Sequence, residues 1–433
     1  MEELRQIIET EFTVSDYYMD VDGTPVFLLP PNQETKVPFQ RLIEKLKTYK
    51  IMAILRHSSQ LKREYNLSPA LEAKNEKQML ALKVIPKSVE GKRKGPVWNL
   101  AFLIATICTV ALAGYFWANQ YNPTGILISL ISGPLYGWYT DPLLLTIGFT
   151  AILLSILGTH ELGHYITSKK KGIEASLPFF IPFPPYIFGI PTLGTMGAVI
   201  FQRSPSINRD HLFDLGLMGP LTGFIIALFM AVLSIKLSPL IYPNVLYTLY
   251  QLEYQLSSVE YNFVINVYNT YSPAIALVLG QYLVSSGSWP VLFIGPSIFP
   301  DSLILTFLVS LLRPETAFSS IFLSPLYFAV WVGFAVTALN LAPSGMLDGG
   351  HMLRAILSRR AHYIASIIIA IILVTISWIG IPIAAMALIS IRRTGHPGAL
   401  DEVSPLKTSR KIIFIVMMFI LVISIPPISW FYL

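Results

Sequence analysis

The sequence His-Glu-Leu-Gly-His at residues 160–164 combines the residue types and the spacing of a metal-binding catalytic motif. On a helix, the imidazoles of His160 and His164 lie one above the other on one face, because they are four residues apart. Both can reach one zinc ion at about 2.0–2.1 Å. Glu161 can then take a proton from a water whose acidity the zinc increases. These residues predict zinc-dependent hydrolysis.

The surroundings of this motif support the same interpretation. It lies near the end of an apolar run, residues 143–167, that is long enough to span a bilayer. Ionisable groups inside a membrane are energetically costly unless they bind or pair with something. A metal ion is the simplest compensation, since packed core histidines would not need a glutamate between them.

A catalytic zinc site needs a third protein ligand and an open fourth position. The single cysteine, Cys108, lies in another apolar run, so neither a cysteine-based zinc site nor an intrachain disulfide is expected. The candidate ligand is Asp348, at the inner end of a distant membrane segment and at a depth similar to that of the histidines. Gly349 and Gly350 follow it and allow close backbone approach. The alternative is that Asp348 only caps a helix beginning at Gly350.

Several other polar or small residues have weaker signals. Asn340, on the same segment as Asp348, could bind a substrate backbone or support the metal site, or simply bond a neighbouring helix. Residues 218–223, Met-Gly-Pro-Leu-Thr-Gly, are predicted to permit tight helix packing or a kink. No chemistry is expected of His396 or Asp401, which lie in a predicted cytosolic loop.

The charged residues that surround these candidates are unevenly distributed. The chain has 433 residues, of which 53% are hydrophobic and 13% charged, with a net charge of +6. Residues 1–96 contain 16 Lys and Arg and 13 Asp and Glu. This pattern excludes an ordinary cytosolic enzyme and a disordered chain, and it predicts a small soluble domain fused to a membrane body. The basic excess lies beside membrane segments, which fits a topology signal better than nucleic-acid binding.

The predicted fold is a multi-pass α-helical membrane protein of about seven spans with a small N-terminal soluble α/β domain. The soluble domain covers residues 1–90, with a helix over 37–49 and strands over 24–29, 51–56 and 79–85, and its expected role is regulation or interaction. Residues 91–96 form a basic linker, and residues 97–433 form the membrane-embedded domain. The acidic start does not resemble a signal or transit peptide.

The spans are predicted from apolar runs and the lysines and arginines that flank them. The predicted spans are 97–118, 143–167, 211–235, 324 to about 347, both arms of a hairpin over 361–391, and 412–433. Residues 237–312 form an uncertain insert without any lysine or arginine, for which a re-entrant or surface-lying arrangement is favoured. The positive-inside rule puts the N-terminus and the active-site opening in the cytosol.

Two motifs together carry a resemblance to a known family. The pair formed by residues 160–164 and by Asn340-x-x-Pro343 with Leu-Asp-Gly-Gly at 347–350 resembles the site-2 protease family of intramembrane zinc metalloproteases. The resemblance covers roughly residues 97–405, and residues 396–403 are similar to the branch found in archaea and chloroplasts. It implies one zinc per chain, His160, His164 and Asp348 as ligands, Glu161 as the catalytic base and Asn340 as a supporting residue. Two departures are the long insert and the absence of a PDZ-like module, whose regulatory place the N-terminal domain takes by analogy.

The segment 193–201 resembles that family's membrane-embedded strand or hairpin near the active site. Its glycines, Gly194 and Gly197, are candidate substrate-binding residues, because an exposed strand edge can pair with an unwound substrate. A helical substrate must unwind first, since its carbonyls are bonded and shielded. The alternative is an amphipathic loop that lies in the membrane interface.

The expected function is hydrolysis of peptide bonds within or near transmembrane segments of membrane proteins, a substrate class that the resemblance implies. The expected location is a prokaryotic cell membrane, and the sequence gives no indication of oligomeric state. The alternatives are an inactive membrane scaffold and a metal-binding transporter. A transporter would carry further carboxylates across the full membrane depth, whereas a scaffold would not need the intact glutamate and ligand set.

Overall fold

A computed structural model describes the chain at residues 2–20, 22–65, 79–87, 95–132, 141–188, 190–238, 240–241, 301–314, 320–321, 324–376 and 398–426, with the isolated positions 381, 384, 385 and 389. Several predictions fall outside these residues: most of the insert, the basic linker up to residue 94, the bend of the hairpin near 378–380, His396 and the end of the last span.

The N-terminal residues form helices on a four-stranded antiparallel sheet with the strand order β1-β2-β4-β3. The elements are α1 (Glu2–Glu9), β1 (Asp16–Met19), β2 (Pro25–Leu29), α2 (Lys36–Lys47), β3 (Ile51–His57), α3 (Ser58–Tyr65) and β4 (Leu80–Pro86). The predicted helix and three strands are present within one to two residues of their predicted ends. The elements α1, β1 and α3 were missed; they have only eight, four and eight residues, which is too short for a periodic pattern to identify them.

The core of this region lies between α2 and the sheet. The apolar residues of α2 recur at helical spacing, so Phe39, Leu42 and Leu46 lie on one face and are fully buried. Phe27 and Leu82 face each other in the sheet and are also fully buried. Strand β3 is at one end of the strand order, so the sheet itself leaves one of its edges unpaired.

The membrane region contains three helices that are long and apolar enough to cross a bilayer, as far as the structure describes the chain: α4 (Pro96–Ser132), α5 (Pro142–Lys170) and α6 (Arg209–Leu237). In α4 the qualifying stretch is Pro96–Asn119. The further helices are α7 (Leu303–Leu312), α8 (Pro325–Leu341), α9 (Asp348–Ile356), α10 (Arg359–Ile376) and α11 (Thr408–Ser424). The chain is therefore a helical membrane protein.

The C-terminal end of α8 differs from the prediction for that span. The helix ends at Leu341 instead of continuing to about residue 347, because Pro343 disfavours helical backbone at the residue before it. Residues 342–347 form a turn, and Asp348 begins the separate helix α9. This break brings Asp348 to the start of a short helix that packs against α6.

Short strands lie between the long helices. Strands β5 (Phe179–Pro182) and β8 (Thr195–Val199) pair antiparallel, and β6 (Tyr186–Ile187) pairs with β7 (Ile190–Pro191). Strands β9 (Leu240–Ile241) and β10 (Ser320–Ile321) form a third pair. The segment 193–201 thus contains a strand, as the resemblance implied.

Candidate metal centre

Two histidines are positioned by the long helix α5. This helix begins with Pro142 at its first position, while the side chain of Asp141 accepts a hydrogen bond from the backbone of Leu143 at 2.8 Å. His160 and His164 are one turn apart in its C-terminal half, and their rings are 4.9 Å apart between centroids. His160 is buried and His164 is nearly so, hence both imidazoles face the protein interior.

The carboxylate of Asp348 joins the two imidazoles. The distance is 3.2 Å between the two Nε2 atoms, and 3.2 Å from each Nε2 to Oδ2 of Asp348. A tetrahedral ion with ligand bonds of about 2.0–2.1 Å has ligand atoms about 3.3 Å apart. The three atoms therefore have the spacing of three corners of a zinc coordination tetrahedron, and this donor set could hold one metal ion.

The start of α9 is fixed by its neighbours on α10. Leu347 is the N-cap residue and makes no side-chain capping bond, while Asp348 is the first helical residue. The ring nitrogen Nε2 of His362 lies 3.1 Å from the carbonyl of Gly350, and the hydroxyl of Ser366 accepts from the backbone of Gly345 at 3.1 Å. The carboxylate of Asp348 thus faces the imidazoles and does not cap the helix.

Helix α6 packs against all three candidate ligands through glycines. A side-chain carbon at Gly219 would overlap the ring of His164, and one at Gly216 would overlap the backbone carbonyl of Asp348. At Gly223 it would come within 3.2 Å of His160. Because glycine has no side chain, the α6 backbone can lie directly against the site.

The same helix also orients one imidazole. The carbonyl of Leu215 accepts a hydrogen bond of 2.9 Å from Nδ1 of His164. A carbonyl can only accept, so the proton is on Nδ1 and the lone pair of Nε2 is available to a metal. The sequence of residues 218–223 predicts tight packing, but it does not predict this positioning role of the Leu215 carbonyl. The spacing of Gly216, Gly219 and Gly223 on one side of a predicted span was the available signal.

Two further candidates lie near the site without recorded hydrogen bonds. Glu161 is half-buried and follows His160 directly on α5. Asn340 is half-buried near the end of α8, and its side chain makes no hydrogen bond to another described residue. The structure therefore shows no contact that distinguishes a role of Asn340 at the substrate or metal site from a bond to a neighbouring helix.

The two glycines of the 193–201 segment have different surroundings. Gly194 has a φ of +71°, and a side-chain carbon there would overlap the backbone of Thr109 on α4. Its carbonyl accepts from the hydroxyl of Thr109 at 2.7 Å, so this glycine fixes the hairpin to α4. Gly197 has a φ of +97° and open space where a side chain would be. The ring of Phe180 on β5 lies 3.8 Å from the position of a side chain at Gly158, two residues before His160.

Comparisons with known proteins identify the family of the chain. The family model of Peptidase family M50 matches residues 148–380. A probable zinc metalloprotease EGY1, chloroplastic, of Oryza sativa subsp. japonica is 25% identical over 285 residues, which cover 64% of this chain and 39% of the relative. A probable zinc metalloprotease EGY2, chloroplastic, of Arabidopsis thaliana is 22% identical over 262 residues, which cover 58% and 37%.

The match to these curated relatives spans about two fifths of their length. No solved structure matches the chain. The family model covers more than half of the chain and includes His160, Glu161, His164 and Asp348. The resemblance to the site-2 protease family is thereby confirmed, and the chain belongs to Peptidase family M50.

Proposed function

We propose that the chain is an intramembrane zinc metalloprotease with one zinc ion held by His160, His164 and Asp348. The observation that carries this proposal is the equal spacing of 3.2 Å among the three ligand atoms, which fits zinc. Membership of Peptidase family M50 and the similarity to two plant proteins named as probable zinc metalloproteases support the same chemistry.

The reaction is hydrolysis of a peptide bond. When bound, zinc supplies Lewis acidity to the attacking water and to the scissile carbonyl. Glu161 accepts a proton from that water and then donates it to the nitrogen of the leaving amine. Leu215 keeps the proton of His164 on Nδ1, and the α6 glycines keep the three ligands in place. Asn340 is proposed to bond the substrate backbone, since its amide has no other recorded hydrogen bond.

The substrates are proposed to be membrane proteins whose transmembrane helices unwind at the active site. An unwound segment can add to the edge of β8, where the open space at Gly197 leaves room for a second backbone. Gly194 supports this edge indirectly, by fixing the hairpin to α4. We expect Gly197→Val to slow cleavage while zinc content stays at the parent value, because the side chain would fill that space. Loss of zinc would instead show that the positive φ of Gly197 does not accept a side chain.

The proposed topology has about seven spans in the membrane of a prokaryotic cell, with the N-terminus and the active-site opening in the cytosol. Support comes from Lys169, Lys170 and Lys171, which follow the metal motif directly at the end of α5, and from the basic residues of the linker. Residues 396–403 are similar to the branch found in archaea and chloroplasts, and of these two settings the prokaryotic membrane is the one proposed. Residues 1–90 are proposed to be a regulatory or interaction domain.

The decisive experiment compares the parent chain with Glu161→Gln in proteoliposomes that contain a single-pass membrane protein as substrate. We expect zinc content to stay at one per chain and cleavage to fall at least about 100-fold, because the general base is lost. Glu174→Gln is the control, since Glu174 pairs with Lys87 at 2.8 Å outside the site. Cleavage by Glu161→Gln at the parent rate would refute the mechanism.

A further inference from the structure

The segment 398–407, which we call the C-terminal strap, lies between the N-terminal sheet and the membrane helices. Its backbone bonds the free edge of β3: Leu55 donates to the carbonyl of Leu400 at 2.9 Å, and Glu402 donates to the carbonyl of Leu55 at 3.3 Å. On its other side, the backbone of Asp401 donates to the carbonyl of Ile207 at 2.8 Å, just before α6. The strap is therefore a connecting strand between the two parts of the chain.

Side chains of the strap are buried in this contact. Leu400 and Ile207 pack into the hydrophobic core of the N-terminal region. Asp401 is fully buried and accepts from the backbones of Val403 and Ser404 at 2.9 Å each, which fixes the turn of the strap. No chemistry was expected of Asp401 from the sequence; in the structure its carboxylate stabilises the turn of the strap.

Glu402 connects the sheet to the helix that carries Asp348. Its carboxylate bonds the guanidinium of Arg354 in the last turn of α9 and lies 3.8 Å from the guanidinium of Arg56 on β3. The three side chains are at most 5% exposed. Charges removed from water to this degree need opposite charges beside them, so Glu402 holds both arginines in this arrangement.

The position of Arg354 makes this contact relevant to the metal. Helix α9 has nine residues, and Arg354 is six residues, or about 9 Å along the axis, from Asp348. A single short helix moves as a unit, hence a change at its last turn is transmitted to its first. Its first turn contacts α6 and α10, while Glu402 fixes the other end.

We infer that Glu402 is a positioning residue for the metal centre, through which the docking of the N-terminal sheet on the strap determines where Asp348 holds its carboxylate. This inference rests on the proposed zinc site. It gives the N-terminal region a defined route to the active site: β3, Glu402, Arg354, α9 and Asp348. A partner that moves the N-terminal sheet would thereby change metal geometry.

The test uses the full chain in detergent and measures zinc affinity by chelator competition and ligand geometry by the visible spectrum of the cobalt(II) form. Glu402→Gln is expected to weaken zinc binding about tenfold, the lower end for groups that hold ligands in place, and to shift the cobalt bands. Glu402→Asp keeps the charge and is expected to restore affinity to within about threefold.

The matched control is Glu11→Gln. Glu11 is also 5% exposed at its side chain and also faces two cations, Arg41 and Lys45 at 2.7 Å each, but all three lie within the N-terminal region. We expect its zinc affinity and cobalt spectrum to equal those of the parent. Equal changes in both variants, or parent values for Glu402→Gln, would overturn the inference and reduce Glu402 to a stabilising residue.

A second variant decides the matter if Glu402→Gln does not fold. Gly398 has a φ of +77°, so a side chain there strains the backbone; it would also overlap the carboxylate of Glu402 and come within 2.6 Å of Arg354, while all charges remain. Gly398→Ala is therefore expected to shift the cobalt bands, and an unchanged spectrum would refute the inference. A parent chain that binds no metal would refute the proposed function instead, so the two failures are distinguishable.

Discussion

The N-terminal region and the metal centre bury acidic side chains in opposite ways. In the N-terminal region, two acids with little side-chain exposure face lysine or arginine: Glu11 with Arg41 and Lys45, and Asp20 with Lys83. Glu402 of the adjoining strap likewise faces arginines. At the metal centre, the carboxylate of Asp348 is 15% exposed and pairs with two imidazoles, and with no lysine or arginine in the part of the chain that the structure describes. A buried acid whose partners are metal-binding groups identifies a place for a cation from outside the protein.

The largest expected effect is the loss of a ligand at the metal centre. Asp348→Asn keeps the size of the side chain but removes its charge, so we expect zinc affinity to fall by more than about 100-fold, beyond the range for supporting groups. Metal analysis of the purified chain measures this. Asp301→Asn is the control, since Asp301 bonds the hydroxyl of Tyr327 at 2.8 Å away from the site. If Asp348→Asn retained one zinc per chain, Asp348 would not be a required ligand, and the contrast between the two regions would be refuted.

A second variant tests whether helix packing shapes the metal centre. Gly219→Ala puts a methyl group into the ring of His164, so the imidazole must move. We expect zinc affinity to fall at least about tenfold. Gly158→Ala, on α5, has only an ordinary contact of 3.8 Å to Phe180 and should bind zinc as the parent does. If Gly219→Ala bound zinc as tightly as the parent, α6 would be able to move away from His164 without disturbing the metal centre.

A third variant removes a protein cation from the N-terminal region. Lys83→Met leaves Asp20 buried without its partner at 2.6 Å, so the unfolding free energy of this region should fall by about 3 kcal/mol. Zinc affinity should not change, because Lys83 pairs with Asp20 and Asp22, which both lie in the N-terminal region. Denaturant unfolding and chelator competition measure the two quantities. The exposed pair of Lys47 and Glu44 is the control, and Lys47→Met should change stability by less than about 1 kcal/mol.

The smallest expected effect is a loss of folding stability at low pH. A hydrogen bond from Lys83 is the main cause that lowers the pKa of Asp22 to about 2. A carboxyl whose pKa is lower in the folded state stabilises the fold above its unfolded pKa of about 4, and this contribution disappears as the pH falls toward 2. Because the Asp22 side chain is half exposed, the contribution is below about 1 kcal/mol.

Asp22→Asn should therefore lose less stability than the parent between pH 4.5 and pH 2.5. Denaturant midpoints at the two pH values measure the difference. An equal loss in both chains would show that the hydrogen bond of Lys83 to Asp22 makes no measurable contribution.

The sequence allowed some features to be predicted because their signals are local. Residues 160–164 determine the metal motif, and the apolar runs determine α5 and α6. The choice of Asp348 depended on matching membrane depth and on the resemblance to a family. The Leu215 carbonyl and the Glu402 contacts could not be predicted, because they join residues that are 51 and 48 positions apart through tertiary packing.

The strap has a consequence for how the protein is made. Leu55 and its partner Leu400 are separated by 345 residues, which a ribosome translates in about 17 to 70 s at about 5–20 residues per second. During that interval the outer side of β3 has not yet received its neighbour and presents unsatisfied amides and carbonyls to other nascent chains. The strap can pair with β3 only after residue 400 has been synthesised. The N-terminal sheet is therefore completed after the membrane helices that precede the strap have been made.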